Sequence, residues 1–449
     1  MSYLKEVIMP DISYAILMFP MLFVLVFAGI PVAFSLIVTA FVFGFMEFGM
    51  VLPTQFHSRL FDVSSNFILA AIPLFIFMGA MLERAGIAAR LFEAIKIWFG
   101  AFRGGLAITT ILMCGVFAAS SGVVGAVEIV VGLMAIPAML RAGYSKDLAA
   151  GTVCAGGSLG TTIPPSVVII VYASITEMSV GDLFAGILIP AGVMVGLFLI
   201  YIIGRCLLQK DAGPGLTDPV DQVNLTAKLW LALTALLPAS LLVLAVLGSI
   251  FAGIAAPTEA AAVGALGSVI LSIAYRQFSF GVLREAVTQT IKISSMVMLI
   301  VLGGTLFASI FIVQGGDDLV SQIVEGNGLG PTQVTVLFLI VVFFLGFVLD
   351  WISVLIIVLP IADPIIRAAE VDPLWFGVMV CIILQTSYLT PPMAPSIFYL
   401  RSIAPREITY LDMYKGVAPF VIAQLLTLAM VALYPSTATW LPAIIFSGF

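Results

Sequence analysis

Charge is scarce in this sequence. Only 9% of its 449 residues are Asp, Glu, Lys or Arg, against about 25% in ordinary soluble domains. That excludes a sizeable soluble domain, and it leaves no basic stripe of the kind a nucleic-acid surface needs. Histidine is scarcer still. His57 stands alone beside Arg59, which argues against a zinc centre, a Ser/His relay and hence an intramembrane enzyme. The four cysteines, Cys114, Cys154, Cys206 and Cys381, form no CxxC pair and read as small packing residues, not disulfides or ligands. The N-terminus lacks a basic stretch followed by an apolar segment and a small-residue cleavage site, so no cleavable signal is expected.

What is present is apolar. Hydrophobic residues make up 62% of the chain and the mean hydropathy is +1.22. A polytopic membrane protein follows. In lipid every backbone group must bond internally, which leaves helices or a closed barrel. The apolar runs are continuous rather than alternating, so the expected fold is all-α. Spans are expected near 13–29, 31–50, 66–82 and 183–204, and again near 229–247, 256–275, 288–312 and 416–433. A surface-lying amphipathic helix is expected over Arg84–Gly100.

The chain repeats itself. Gly157–Ser166 (GSLGTTIPPS) and Ser387–Ser396 (SYLTPPMAPS) each set a Pro-Pro inside an apolar run, and the two proline pairs stand close to half the chain length apart. The tetrapeptide FAGI recurs at Phe27–Ile30 and Phe251–Ile254, at nearly the same separation. Repeat 1 is assigned to 1–208, with a re-entrant hairpin at 104–140 and a broken helix at 148–174. A polar linker follows at 209–228. Repeat 2 is assigned to 229–449, with a hairpin at 332–366 and a broken helix at 374–399.

Charge orients the two copies. The loop after the third span of repeat 1 carries Arg84, Arg90, Lys96 and Arg103, whereas its counterpart carries Asp317, Asp318 and Glu325. The stretch after the first broken helix has Glu177 and Asp182, and its counterpart has Arg401, Arg406 and Lys415. Lys and Arg concentrate on the cytoplasmic side, so matched loops of opposite bias imply inverted repeats. In a ten-span, two-hairpin arrangement with both termini on the outer side, only Lys5, Arg59 and Arg367 of the 18 cations break the rule.

Paired, interrupted hydrophobic segments in two halves point to the binding site of a secondary transporter. Two prolines in succession remove helical hydrogen bonds, and freed carbonyls at membrane depth must face protein, water or an ion. Carbonyls with a Ser or Thr hydroxyl suit Na⁺, and the N-termini of the following half-helices suit a carboxylate. The candidates for substrate or coupling contacts are Thr161, Thr162 and Ser166 around the first break and Pro391 and Pro392 at the second. Asp350 in the second hairpin tip and Glu128 one turn past the first join them, as intramembrane acids. Glu259, in Pro257-Thr258-Glu259, is read as a helix cap or as a site residue.

Residues 71–105, 139–166 (MLRAGYSKDLAAGTVCAGGSLGTTIPPS) and 384–401 (LQTSYLTPPMAPSIFYLR) resemble the large membrane subunit of tripartite ATP-independent periplasmic (TRAP) transporters, in the branch associated with mannitol or chloroaromatic compounds. The resemblance covers nearly the whole chain. It implies an elevator-type, sodium-coupled importer of organic acids in the bacterial inner membrane, with both termini periplasmic. It also implies a small four-helix membrane subunit and a periplasmic substrate-binding protein as partners. One sodium site carries over to Ser120 or Ser121, Gly160, Ile163 and Pro165, and a second to Gly346, Ser387, Thr390 and Met393. The chain departs from the family pattern where Val123 replaces a tip serine, where Ser387 replaces a glycine, and where Glu128 replaces a commonly apolar residue. The alternative reading is a stand-alone carboxylate or ion exchanger that works without a binding protein.

Overall fold

The apolar runs fold as helices, and the places where they stop are set by proline, glycine and charge. A computed structural model of the chain describes residues 14–121, 124–216, 224–326, 328–391 and 394–446, among which there is no strand. The first half runs α1 (Tyr14–Phe27), α2 (Val32–Phe48), α3 (Leu52–Ser64), α4 (Ala71–Arg84), α5 (Ile87–Phe99), α6 (Gly105–Ser121), α7 (Val124–Arg141), α8 (Lys146–Ser158), α9 (Val167–Thr176) and α10 (Val180–Leu208). The second half runs α11 (Leu225–Phe251), α12 (Pro257–Ala274), α13 (Phe280–Val313), α14 (Gly316–Gly326), α15 (Pro331–Leu345), α16 (Trp351–Ala368), α17 (Pro373–Leu389), α18 (Pro395–Ile403), α19 (Tyr410–Leu433) and α20 (Ser436–Phe446).

Seven segments among the described residues are long and apolar enough to cross a membrane, and α4 with α5 makes an eighth if that pair, bent by 66°, is one span. The bend falls at Gly86, whose φ of +65° is costly for any residue with a Cβ. The two halves keep register. The second arms α7 and α16 start at Val124 and Trp351, and the broken helices α8 and α17 start at Lys146 and Pro373. Both pairs of starts are offset by the same distance along the chain as the two Pro-Pro pairs. The expected architecture, an all-α membrane protein with Pro-Pro breaks in both halves, is the one found.

Four details differ from the sequence reading. Helix α3 fills residues that carried no assigned span, and it continues the line of α2, so Val32–Ser64 forms one helical stretch of 33 residues with its apolar part in α2. Helix α13 has 34 residues and outruns its expected span at the N-terminal end, where Arg284, a good helix former, extends it without interrupting it. Helix α5 does not spend its apolar face on a membrane surface. Ile87, Leu91, Phe92 and Ile95 are buried against α6 and α11, with Arg90 and Glu93 outward. The linker begins as folded chain. Gly104 N–H donates to Gly213 O (2.8 Å), Ser145 N–H to Ala212 O (3.0 Å) and Leu216 N–H to Gly100 O (2.9 Å). Residues 217–223 of the linker lie outside the described residues.

Two compact units emerge. One comprises Met1–Asn66, Ser295–Leu345 and Leu349–Pro373; the other comprises Phe67–Ser294, Gly346–Val348 and Leu374–Phe449. The second unit holds both broken helices and the first hairpin. Apolar attraction does not drive helices together in lipid, so close approach through small residues does. In this unit α8 crosses α19 where a Cβ on Gly151 would lie 2.1 Å from Gly416 O. The start of α8 is tied to the end of α10 by Arg205, which donates to Asp147 Oδ2 at 2.5 Å and to Tyr201 Oη at 2.8 Å.

The Gly151–Gly416 crossing yields a prediction. Gly151→Ala must displace backbone and is expected to cost about 1–3 kcal/mol, read as a lower melting temperature of the detergent-purified protein. Gly192→Ala, on α10 with nothing within 4 Å of the new Cβ, is expected to leave stability unchanged or slightly raised.

Candidate functional site: two proline breaks that cross

Helix α8 ends because prolines follow it. Pro164 and Pro165 carry no N–H, so the carbonyls of Gly160 and Thr161, four residues back, lose their helical donors. The chain tightens first into a 3-10 turn over Leu159–Thr161, with Thr162 N–H and Ile163 N–H both donating to Leu159 O. Ser166 Oγ then donates to Thr161 O at 2.8 Å, which repairs one of the two lost bonds. Gly160 O is the carbonyl left over. Gly160 and Pro165 are buried and Ile163 is half-buried. Ile163 lies over α6, 3.5 Å from where a Cβ on Gly115 would stand. The first arm of the first hairpin and the first break are therefore adjacent.

The second break mirrors this. Pro391 removes the donor for Ser387 O, and Thr390 N–H takes its place at 3.2 Å. Thr390 Oγ1 donates to Thr386 O at 2.6 Å, and Ser387 Oγ to Leu384 O at 2.8 Å. Both hydroxyl oxygens keep lone pairs free to accept. Helix α18 restarts after Ala394, which has φ +39°. Pro392 and Met393 lie outside the described residues. So do the side chains of Ser120 and Ser121, whose backbone ends α6. Gly346 is buried and belongs to the same unit as Ser387 and Thr390.

The breaks meet through side chains that sequence reasoning passed over. Gln385 Nε2 donates to Ser158 Oγ at 3.0 Å, and Thr162 Oγ1 donates to Gln385 Oε1. Gln424 Nε2, from α19, donates to the same Ser158 Oγ at 3.3 Å. Ser158 in turn donates to Ala155 O at 2.8 Å, and all four side chains are fully buried. Ser158 and Gln385 are 227 residues apart, the spacing of the Pro-Pro pairs. Equivalent positions of two copies related by a two-fold axis touch only at that axis. The hydrogen bond thus joins two positions that share the register of the proline pairs. The available signal was the shared register, together with two glutamines inside apolar helices.

The acids divide. Asp350 caps α16: its carboxylate accepts from Ile352 N–H (3.1 Å), Ser353 N–H (3.4 Å) and Ser353 Oγ (2.5 Å). These bonds and the helix N-terminus account for an acid at a hairpin tip without a cation. Asp350 belongs to the other compact unit, not to the one that holds the crossing residues. Glu259 is a cap as well, accepting from Ala256 N–H at 2.8 Å. Glu128 is fully buried in the unit of the breaks, and Ser396 Oγ donates to its Oε1. Thr161 Oγ1 donates to Ser158 O at 2.9 Å, so Thr161, Thr162 and Ser166 all spend their hydroxyl protons inside the protein here. The four cysteines are free and buried. No cluster of three or more His, Cys, Asp or Glu stands ready for a metal among the described residues.

Comparison with known proteins gives the same architecture a context. The family described as "DctM: Tripartite ATP-independent periplasmic transporter, DctM component" matches residues 19–437. A C4-dicarboxylate TRAP transporter large permease protein of Pseudomonas aeruginosa is 32% identical over 388 residues, 86% of this chain and 88% of that protein. A sialic acid TRAP transporter large permease protein of Vibrio cholerae is 28% identical, covering 95% of this chain and 97% of that protein. An ectoine TRAP transporter large permease protein of Halomonas elongata is 28% identical, covering 93% and 96%. Among solved structures, the YdaH transporter of Alcanivorax borkumensis superposes with a TM-score of 0.66 at 12% identity, over 94% of this chain and 100% of that one. That likeness is one of fold.

The crossing can be tested by removing its centre. Gln385→Leu fills the same space but strands Ser158 and Thr162. It is expected to cost about 1–3 kcal/mol, measured as a lower melting temperature, whereas Gln385→Glu keeps an acceptor for Thr162 and is expected to cost less.

Proposed function

We infer what this protein does from its kinship and from its paired breaks: the chain belongs to the DctM component family of tripartite ATP-independent periplasmic transporters. It is a large permease subunit, a transporter and not an enzyme. Our reading of its work is the import of small organic acids, driven by sodium and delivered by a periplasmic binding protein, with a small four-helix membrane subunit as partner. The relatives are named for C4-dicarboxylates, sialic acid and ectoine, and a carboxylate is common to all three. A carboxylate is also what the half-helix N-termini at α9 and α18 suit.

The observation that carries this reading is the crossing of two proline breaks in register within one compact unit. Freed carbonyls such as Gly160 O, and hydroxyls such as Thr390 Oγ1, supply the hard oxygen ligands that sodium takes. Ser120 or Ser121, Ile163 and Pro165 would complete one site, and Gly346, Ser387 and Met393 the other. The opposite charge bias of matched loops supports inverted repeats. An inverted pair sharing a central axis is the arrangement that elevator-type alternating access uses, with the unit of the breaks as its moving part.

The experiment is uptake into proteoliposomes holding this chain and its membrane partner, with labelled succinate, sialic acid or ectoine bound to the cognate binding protein. Uptake of one of them is expected to require both an inward sodium gradient and the binding protein. Uptake without the binding protein would favour the stand-alone exchanger. Thr390→Val keeps shape and removes the oxygen, and it is expected to raise the sodium concentration for half-maximal uptake. An unchanged sodium dependence at equal protein incorporation would remove Thr390 from the site.

A further inference from the structure

Glu128 has no place in the cation sites above, yet it is completely enclosed by protein. It lies on α7, one turn past the first hairpin tip, at 0% exposure. Its face of α7 reads Gly125, Glu128, Gly132, and this face packs on α18. A Cβ on Gly125 would lie 2.9 Å from the Tyr399 ring, and one on Gly132 would lie 2.5 Å from Ile403. The glycines let the two helices close, and Glu128 is the polar residue caught between them. On a third side, Gly157 of α8 presses on the Glu128 stem, where a Cβ would stand 2.7 Å from Glu128 Cβ.

The carboxyl group is half satisfied. Oε1 accepts from Ser396 Oγ. Oε2 makes no hydrogen bond of good geometry, although the Cys154 thiol and the Tyr388 hydroxyl stand close enough to interact with the carboxyl. The titratable groups that face the carboxyl are Cys114 from α6, Cys154 from α8, Tyr388 from α17 and, beyond Tyr388, Tyr399 from α18. None of them is a base that carries positive charge. An ionised carboxylate with a bare oxygen and no cation is among the costliest things to bury. Against that, the Ser396 hydroxyl and the N-terminus of α18, which starts at Pro395, favour the anion. Burial and these donors pull in opposite directions on the anion.

We propose that Glu128 is a proton-binding site of the transport cycle, loaded while the first hairpin is closed on α18 and emptied to water when the two part. The proton arrives from water, neutralises Oε2 and leaves to water; nothing else is consumed. Its neighbours are a hydroxyl, two thiols and a phenol, each already carrying a hydrogen. Tyr399, 44% exposed, is the outermost of these neighbours. The part of the proposal that concerns transport rests on the importer reading; proton binding does not.

The test is infrared difference spectroscopy on the full chain, purified with its membrane partner, without any substrate. The wild type is expected to show the C=O stretch of a protonated carboxylic acid. That band should shift in D₂O, disappear reversibly on alkalinisation and be lost in Glu128→Gln. If Glu128→Gln does not fold, Glu128→Leu serves for the same subtraction, since an apolar side chain needs no partner in this packed site. Absence of the band at every pH would mean a permanently ionised group and overturn the proposal. A band insensitive to both pH and D₂O would mean a sealed packing acid and also overturn it. Loss of the band only on adding sodium chloride would make the site a cation site instead and overturn it too. Because no uptake is measured, failure here leaves the importer reading untouched, and failure of uptake leaves this result readable.

Discussion

The hydrogen bond between Ser158 and Gln385 is the constraint on which the rest of the site depends. Breaking one helix at membrane depth exposes polar groups that lipid cannot satisfy. Breaking two is tolerable if each break supplies what the other lacks. Here Thr162 and Ser158 from one break bind the two ends of the Gln385 amide from the other, and Gln424 adds a further donor to Ser158. The cost of unwinding is offset where the two segments meet.

The helices around the breaks serve that meeting. Glycine, not apolar bulk, sets the distances: Gly151 against Gly416, Gly156 against Cys114, Gly377 against the Tyr172 ring. A side chain at any of these would push a broken helix off its neighbour. The same small-residue packing brings α18 onto the first hairpin and thereby buries Glu128.

Much of this was legible in the sequence, for definite reasons. Proline announces a break because it lacks an N–H, so both breaks fell where the Pro-Pro pairs stand. Pro257-Thr258-Glu259 reads as a helix start because the acid can reach back to its own cap, and Glu259 does. Asp350 stood out as an acid at a hairpin tip, but its role as the cap of α16 depends on the backbone turning at Leu349, which composition does not specify. The extra length of α13 and the presence of α3 were missed because hydropathy registers the membrane-depth part of a helix and not its polar ends. The folded start of the linker was missed because its bonds run to Gly100, Gly104 and Ser145, far away along the chain. The Ser158–Gln385 contact is tertiary and invisible to any local pattern. Only the register shared by the two halves hinted that these positions were counterparts.

That register, joined to the opposite charge of matched loops, makes the central claim: two copies of one unit, inverted across the membrane about an axis through Ser158 and Gln385. The direct measurement uses the turns that follow the two broken helices, which each hold an exposed acid, Glu177 after α9 and Glu407 after α18. Single cysteines at these two positions, in a background cleared of the four buried native ones, can be treated with an impermeant thiol reagent in intact cells and in inside-out vesicles. The inverted arrangement predicts that Glu177→Cys reacts from the periplasmic side and Glu407→Cys from the cytoplasmic side. Labelling of both from the same side would contradict it.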